Sequence, residues 1–163
     1  MKLRFAFLII LLCLLNQSFA QTTVQWASAV LEVSSELTEL EHSARQVLGK
    51  PNVLPAGGSN PNAWHAYKPG EVEFIKVSFD LAMPIRQIAI GESYNPGAVA
   101  KIYGYDEKGT ERVLYEKTPG PVRDLSRMFR VFLEENTFVL KSLKIVLDGR
   151  KVDGFSEIDC IGV

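Results

Sequence analysis

The chain is poor in cysteine: it has two in 163 residues, and only Cys160 lies outside the N-terminal apolar stretch. One cysteine cannot form an intramolecular disulfide, so the fold must be stabilised by a hydrophobic core, which a domain of this size can provide. Cys160 alternates with Ile158 in a strand-like pattern. A free thiol in an exported protein is either buried or paired between chains, and this pattern favours burial.

Residues for acid–base and nucleophilic chemistry are also scarce. The chain has two histidines, His42 and His65, and it contains no Gly-x-Ser-x-Gly, no His-Glu-x-x-His and no glycine-rich phosphate loop. A carboxylate pair that cleaves glycosides is the alternative, but the sequence does not single out such a pair among its 19 acidic residues. We therefore predict that the protein is not an enzyme.

Charge and hydropathy argue against two further classes of protein. The formal net charge is −1 and no basic patch stands out, which argues against a nucleic-acid partner. Beyond the N-terminus, no apolar run is long enough to span a bilayer. We therefore predict no transmembrane segment in the mature chain.

The N-terminus has the pattern of a secretory signal peptide. Two basic residues precede an apolar run over residues 5–15, and small residues occupy positions 18 and 20. The run is too short to cross a membrane as a retained helix. We predict that residues 1–20 are removed after Ala20. Residues 21–163 then form a single domain that is exported to the periplasm, the cell surface or the medium.

The rest of the chain contains a series of short segments in which apolar and polar residues alternate. About eight such segments, separated by turn signals, favour an antiparallel sandwich or barrel with little helix. The predicted strands are residues 25–33, 74–79, 85–90, 98–105, 112–116, 129–133, 143–147 and 155–163.

One segment has a different period. Apolar residues recur at helical spacing between Leu37 and Leu48, and Gly49 follows them. The spacing predicts one short N-terminal helix over residues 35–48. Residues 49–70 are rich in proline, glycine and asparagine, and they predict a long ordered loop.

Four blocks of the chain together resemble one superfamily. They read WASAVLEVSSEL (residues 26–37), SARQVLGKPNVLP (43–55), ESYNPGAVAKIYGYD (92–106) and GFSEIDCIGV (154–163). In this order they are similar to galactose-binding-like, or discoidin (coagulation factor type C-like), β-sandwiches. The resemblance is to the branch found as accessory domains in bacterial OmpA-like outer-membrane proteins, and it covers nearly all of the mature chain.

The resemblance implies a fold and a general role. Its members are antiparallel jelly-roll β-sandwiches, and many of them hold sugars, phospholipid headgroups or protein partners in loops at one end. Many also bind a structural calcium ion near the N-terminal loop and the final strand. The resemblance leaves the ligand of this chain open.

The segment SNPNAWHAYKPG (residues 59–70) is the first candidate binding loop. Trp64, His65 and Tyr67 fall within four residues of one another. Aromatic rings stack on the C–H face of a sugar, while amide and cationic donors reach its hydroxyls. The alternative is structural: the Trp64 ring closes the end of the core, and His65 is a hydrogen-bonded loop residue.

The Tyr-Asn-Pro-Gly tetrad at residues 94–97 is the second candidate. This order predicts a tight turn, because proline presets φ and glycine accepts a positive φ. Tyr94 is less constrained by the turn, so its ring and hydroxyl are available to a ligand. Either Arg123 or Arg127 is expected to pair with Glu92. The full set of predicted ligand-binding residues is Trp64, His65, Tyr67, Tyr94, Asn95, Arg123 and Arg127.

Glu157 and Asp159 lie two apart on the last predicted strand and therefore face the same side. Hard cations prefer oxygen donors, and one hypothesis is a structural calcium site formed by Glu157, Asn52 and Ser59. The alternative is that both carboxylates accept hydrogen bonds from backbone amides or pair with nearby cations. No other cofactor is expected.

Two functions from different classes follow. The first is an exported, non-catalytic binding module that recognises a carbohydrate or another cell-envelope component through loops at one end of the sandwich. The alternative is a structural or assembly subunit that docks on another envelope protein.

Overall fold

The computed structural model of the protein describes residues 24–134 and 138–163. The predicted signal peptide at residues 1–20 lies outside the described residues. The strands are β1 (Ala29–Val33), β2 (Val72–Pro84), β3 (Gln87–Tyr94), β4 (Val99–Tyr105), β5 (Glu111–Glu116), β6 (Arg127–Phe132), β7 (Val139–Asp148) and β8 (Glu157–Gly162). Two short 3₁₀ helices span Ala44–Val47 and Gly149–Lys151.

The strands form two sheets that stack as a sandwich. One sheet has the order β1-β2-β7-β4-β5 and the other has the order β6-β3-β8. All of the pairings within the two sheets are antiparallel. Most neighbours in the sheets are distant in sequence, as in a jelly roll. The predicted fold, an antiparallel jelly-roll β-sandwich of about eight strands, is confirmed.

The core fills the space between the two sheets and follows the alternation of the strands. Along β2, the side chains of Ile75, Val77 and Phe79 are at most 1 % exposed, and along β7 Leu143 and Ile145 are fully buried. The residues between them point away from the core, because successive side chains of a strand face opposite sides. This is why apolar alternation alone located the strands.

The helix predicted over residues 35–48 is much shorter in the structure, where only the 3₁₀ helix Ala44–Val47 forms. Upstream of it, Thr38 Oγ1 accepts hydrogen bonds from the backbone N–H groups two and three residues later, at 3.1 and 2.8 Å. His42 then takes a φ of 53°, which a right-handed helix does not contain. Local side-chain hydrogen bonds have replaced the helical ones. Across the described ranges, no helix has the length and apolarity needed to cross a bilayer.

Strand β8 is buried along its whole length, although it lies at the edge of its sheet. Two extended segments cover it, since Trp26 pairs with Gly162 and Trp64 pairs with Ile158 in isolated β-bridges. These bridges satisfy backbone groups that an edge strand otherwise exposes. Cys160 in this strand is fully buried, as its alternation predicted.

The burial of Cys160 predicts an unreactive thiol. Desolvation, reinforced by the carboxylate of Asp159, raises the pKa of this thiol to about 12, and the thiolate is the nucleophilic form. At neutral pH we expect iodoacetamide to modify Cys160 in the native protein at less than about 1 % of its rate in the urea-unfolded protein. Timed alkylation followed by mass spectrometry of the peptide that contains Cys160 measures both rates. Similar rates in the two states would contradict the burial.

Candidate functional site

The tetrad at residues 94–97 forms the predicted turn. It follows β3, and Asn95 and Gly97 have φ values of 47° and 118°. A Cβ at Gly97 would lie 2.2 Å from the carbonyl oxygen of Gly120, so only glycine fits. The N–H of Gly97 donates to Glu92 Oε1 at 2.8 Å, and its carbonyl accepts from the N–H of Gly120 at 3.1 Å. The turn is thereby fixed to its own strand and to the loop that contains Gly120.

Asn95 connects this turn to the loop that precedes β8. Its side-chain amide donates to the backbone carbonyl of Asp153, and its own backbone carbonyl accepts from Ser156 Oγ at 2.9 Å. The structure therefore gives Asn95, a predicted ligand residue, an organising role: it holds two loops together at one end of the sandwich.

A groove of about 420 Å³ opens where these loops meet. The exposed fractions of Tyr94 and Leu125 are 42 % and 86 %, high values for large apolar side chains. Arg123 is exposed and makes no hydrogen bond or ion pair within residues 24–134 and 138–163. The groove is lined by Tyr94, Asn95, Val122, Arg123, Asp124, Leu125, Asp153, Gly154 and Phe155.

The lining of this groove combines apolar surface with polar groups of both kinds. The ring of Tyr94 and the side chain of Leu125 supply apolar surface, on which the C–H groups of a ligand can pack. The guanidinium of Arg123 offers hydrogen-bond donors only, and the carboxylates of Asp124 and Asp153 offer acceptors. A few polar groups on an apolar surface are the usual composition of a site that holds and orients a small molecule.

Arg127 has a different role from Arg123. Its Nε lies 2.6 Å from Glu92 Oε2, and its guanidinium lies 5.0 Å from the centroid of the Phe129 ring. The side chain of Glu92 is only 2 % exposed. The predicted pairing of Glu92 with an arginine is therefore correct, and Arg127 is the partner. Arg127 stabilises the buried carboxylate that holds the turn and does not line the groove.

The loop at residues 59–70 is not the exposed aromatic surface that its composition suggested. Trp64 is fully buried in the core, and its indole N–H donates to the carbonyl of Ser35 at 3.0 Å. Its ring therefore closes the core and cannot stack on a sugar, which corrects its prediction as a ligand residue. His65 is 6 % exposed and its Nδ1 contacts the carbonyl of Ala66 at 2.7 Å. Tyr67 is 59 % exposed but lies outside the groove.

The two carboxylates of β8 are satisfied by the protein itself. Asp159 accepts hydrogen bonds from the backbone N–H groups of residues 52–54 at 3.0 to 3.1 Å. Glu157 accepts from Ser59 Oγ at 2.6 Å and from the N–H of Asn60 at 2.9 Å. The observed arrangement is thus the alternative to a calcium site, in which Glu157 and Asp159 accept hydrogen bonds from backbone N–H groups.

This arrangement fits the hypothetical calcium site poorly. Ser59 does meet Glu157, but as a hydrogen-bond donor, and Asn52 contacts Asp159 through its backbone N–H. The imidazole of His42 also lies nearby, with its Nδ1 3.9 Å from Oε1 of Glu157. Calcium prefers six to eight oxygen ligands, so this donor set suits it badly. Calcium binding itself stays a prediction.

Comparison with known proteins identifies the fold. The sequence matches no protein-family model and no curated protein. One similar structure is the family 32 carbohydrate-binding module of EndoD from Streptococcus pneumoniae (TM-score 0.60, 9 % identity, 82 % of this chain and 92 % of that chain). Another is the family 32 module of NanJ from C. perfringens in complex with galactose (TM-score 0.58, 17 % identity, 86 % and 98 %). XRCC1 bound to the DNA polymerase β catalytic domain is also similar (TM-score 0.63, 14 % identity, 86 % and 97 %).

The chain has the galactose-binding-like β-sandwich fold. The resemblance recognised in the sequence is thereby confirmed at the level of the fold. Its narrower part, the branch of accessory domains in OmpA-like proteins, stays a prediction.

The groove draws on three segments that are far apart in sequence. Tyr94, Asn95 and Arg123 were identified from the sequence, whereas Leu125 and Phe155 were not. Leu125 is an isolated apolar residue in a polar loop, and Phe155 counted as part of the last strand. The local sequence contains one signal, a single apolar residue, Leu125, in a polar loop beside Arg123. This signal becomes informative only when the structure brings the three loops together.

The contrast between Arg123 and Arg127 is testable. Arg127→Ala leaves the carboxylate of Glu92 buried without its cation, and we expect the free energy of unfolding to fall by about 3 kcal/mol. Arg123→Ala is the matched control, and it should change stability by less than about 0.5 kcal/mol because Arg123 is exposed and unpaired. Urea denaturation followed by circular dichroism measures both. Equal stabilities of the two variants would show that the Glu92–Arg127 pair does not stabilise the turn.

Proposed function

We propose that this protein is an exported, non-catalytic binding module that holds a carbohydrate of the cell envelope in the groove between the 94–97 turn, the 122–125 loop and the 153–155 loop. The observation that carries the proposal is the groove itself, a concave surface with exposed Tyr94 and Leu125 beside the unpaired Arg123.

The proposal is supported by the type of surface that the fold presents at this end. Structures of similar fold include carbohydrate-binding modules, one of them solved with galactose and one described as binding pectin. In this chain the groove lies among irregular loops that are joined by hydrogen bonds at Asn95 and Gly97. Rigid loops lose little conformational entropy when they bind a ligand, which favours affinity.

Each side chain has a distinct role in this proposal. The Tyr94 ring packs against the C–H face of a sugar ring, with Leu125 extending the apolar surface. Arg123 donates hydrogen bonds to hydroxyl or carboxylate oxygens of the glycan, and Asp124 and Asp153 accept hydrogen bonds from its hydroxyls. We assign the two carboxylates to hydrogen bonding and not to acid–base chemistry. Export rests on the N-terminal pattern at residues 1–20.

A glycan array that includes fragments of cell-envelope polymers tests the proposal. We expect the wild type to bind one structural class. Tyr94→Ala and Arg123→Ala should each weaken binding at least about fivefold, since truncating an anchor of this kind removes more than about 1 kcal/mol. Tyr67→Ala is the matched control, because Tyr67 is even more exposed than Tyr94 but lies outside the groove. Isothermal titration with the best glycan gives the affinities.

Two results would contradict this assignment. If Tyr67→Ala abolishes binding while Tyr94→Ala does not, the ligand occupies the 59–70 loop. If the folded wild type binds no glycan, the carbohydrate proposal fails. Trp64→Ala is unsuitable for this test because Trp64 is fully buried and its truncation destabilises the core by about 3–5 kcal/mol.

The alternative, docking on another envelope protein, has one observation in its favour. Leu81 and Met83 near the end of β2 are both exposed. Exposed apolar side chains close together at the end of one strand are typical of an interaction surface. Cross-linking from a residue introduced at Leu81→Cys supports docking if it captures one envelope protein at a fixed ratio. A monomer that captures none counts against it.

A further inference from the structure

Three side chains with metal-ligand chemistry come together from distant parts of the sequence. They are His42, His65 and Glu157, and one ligand atom from each lies within 4.8 Å of the other two. The side chains of His42 and Glu157 are 14 % and 2 % exposed, and His65 is 6 % exposed. The two imidazole rings are in contact, with centroids 4.2 Å apart. The cluster is therefore a nearly enclosed set of two nitrogen donors and one carboxylate.

Backbone hydrogen bonds hold the three residues in place. The N–H of His42 donates to the carbonyl of Pro61 at 2.8 Å. Trp64 and Ile158 exchange two backbone hydrogen bonds of 2.8 and 2.9 Å, and these fix His65 and Glu157 on adjoining positions of a short antiparallel bridge. The donor set is therefore arranged by the fold before any ion binds.

Both imidazoles are oriented by backbone carbonyls. Nδ1 of His42 lies 3.1 Å from the carbonyl of Ala63, and Nδ1 of His65 lies 2.7 Å from the carbonyl of Ala66. A carbonyl oxygen only accepts hydrogen bonds, so these contacts are hydrogen bonds in the tautomer that carries its proton on Nδ1, and in that tautomer Nε2 keeps a free lone pair. Metal-binding histidines are oriented in this way, through a hydrogen bond from the ring nitrogen that does not bind the metal.

The carboxylate of Glu157 supplies the charge. It accepts hydrogen bonds from the hydroxyl of Ser59 and the N–H of Asn60, which leaves further lone pairs on both oxygens. Both partners are neutral groups, although a buried carboxylate is most stable when a cation compensates it. A divalent ion bound between Glu157 and the two histidines provides that compensation.

We propose that His42, His65 and Glu157 bind one divalent transition-metal ion, and their donor set favours Zn²⁺. Two imidazoles and one carboxylate are common zinc ligands, whereas Ca²⁺ and Mg²⁺ prefer oxygen donors alone. A tetrahedral zinc site spaces its ligand atoms by about 3.3 Å, so atoms that lie within 4.8 Å reach it by moving inward by at most about 1 Å each. Water fills the fourth position.

The ion has a structural role. It joins two loops to Glu157, the first residue of β8. His42 lies in the N-terminal loop, and His65 lies in the loop before β2. Phe155 lies between this cluster and the glycan groove, because its ring packs against His65 at 4.5 Å and also lines the groove. The metal site and the glycan site are therefore adjacent but separate, and either exists without the other.

The experiment uses protein without a histidine tag, stripped of metal by a chelator that is then removed. We expect one equivalent of Zn²⁺ to bind in isothermal titration and to raise Tm by at least about 5 °C at a hundredfold excess over its Kd. Ca²⁺ and Mg²⁺ at the same concentration should leave Tm unchanged. Co²⁺ is the spectroscopic probe, and it should give the intense visible absorption of a tetrahedral site with nitrogen ligands.

Three variants and one control make the test specific. His42→Gln, His65→Gln and Glu157→Gln should each weaken Zn²⁺ binding at least about 100-fold and remove the Co²⁺ absorption. Glu107→Gln, at an exposed residue of the β4–β5 turn, is the matched carboxylate control and should bind like the wild type. Because His65 and Glu157 are buried, circular dichroism without metal checks their folding. His42 is partly exposed, so its variant keeps the test valid if the other two unfold.

The proposal is overturned by any of three results. The folded wild type takes up no Zn²⁺, or His42→Gln retains wild-type affinity, or Ca²⁺ raises Tm as much as Zn²⁺ does. The third result would instead support the calcium hypothesis for Glu157 and Ser59.

Discussion

The need to satisfy buried carboxylates on the closing strand determines how the loops of this protein are built. Glu157 and Asp159 are each about 1 % exposed, and a carboxylate in such a place is stable only when donors surround it. Asp159 takes three consecutive backbone N–H groups from residues 52–54, and Glu157 takes two donors from Ser59 and Asn60. These five hydrogen bonds fasten a long irregular segment to β8, which explains how a loop rich in proline and glycine is ordered without regular structure.

A third buried carboxylate, that of Glu92, is satisfied by donors in the same way beside the groove. Glu92 receives the N–H of Gly97 on one oxygen and the Arg127 guanidinium on the other. The tetrad that presents Tyr94 is therefore positioned by a side chain that is only 2 % exposed. Residues that look functional in the sequence divide into two groups on this basis. Arg127, Asn95 and Trp64 build the scaffold, while Tyr94 and Arg123 remain exposed on its surface.

The proposed glycan groove and the proposed metal cluster meet at the start of β8. Tyr94 lies opposite Glu157 in the pairing of β3 with β8, and Phe155 contacts His65 while lining the groove. A metal ion at His42, His65 and Glu157 would rigidify the loops on one side of the glycan site without contacting the glycan. Rigid loops favour affinity because less conformational entropy is lost on binding.

The sequence by itself determined the strands, the turn at residues 94–97, the burial of Cys160 and the resemblance to a galactose-binding-like sandwich, because alternation and turn chemistry are local properties. It overestimated the helix over residues 35–48, where Thr38 and His42 interrupt the helical hydrogen bonds. Only the tertiary structure decided which polar residues are buried and which meet. Trp64 and Tyr67 are three residues apart, yet one is fully buried and the other is 59 % exposed. His42, His65 and Glu157 share no local signal. The bridge between Trp64 and Ile158 brings His65 beside Glu157, and the hydrogen bond from the N–H of His42 to the carbonyl of Pro61 brings His42 to the same loop.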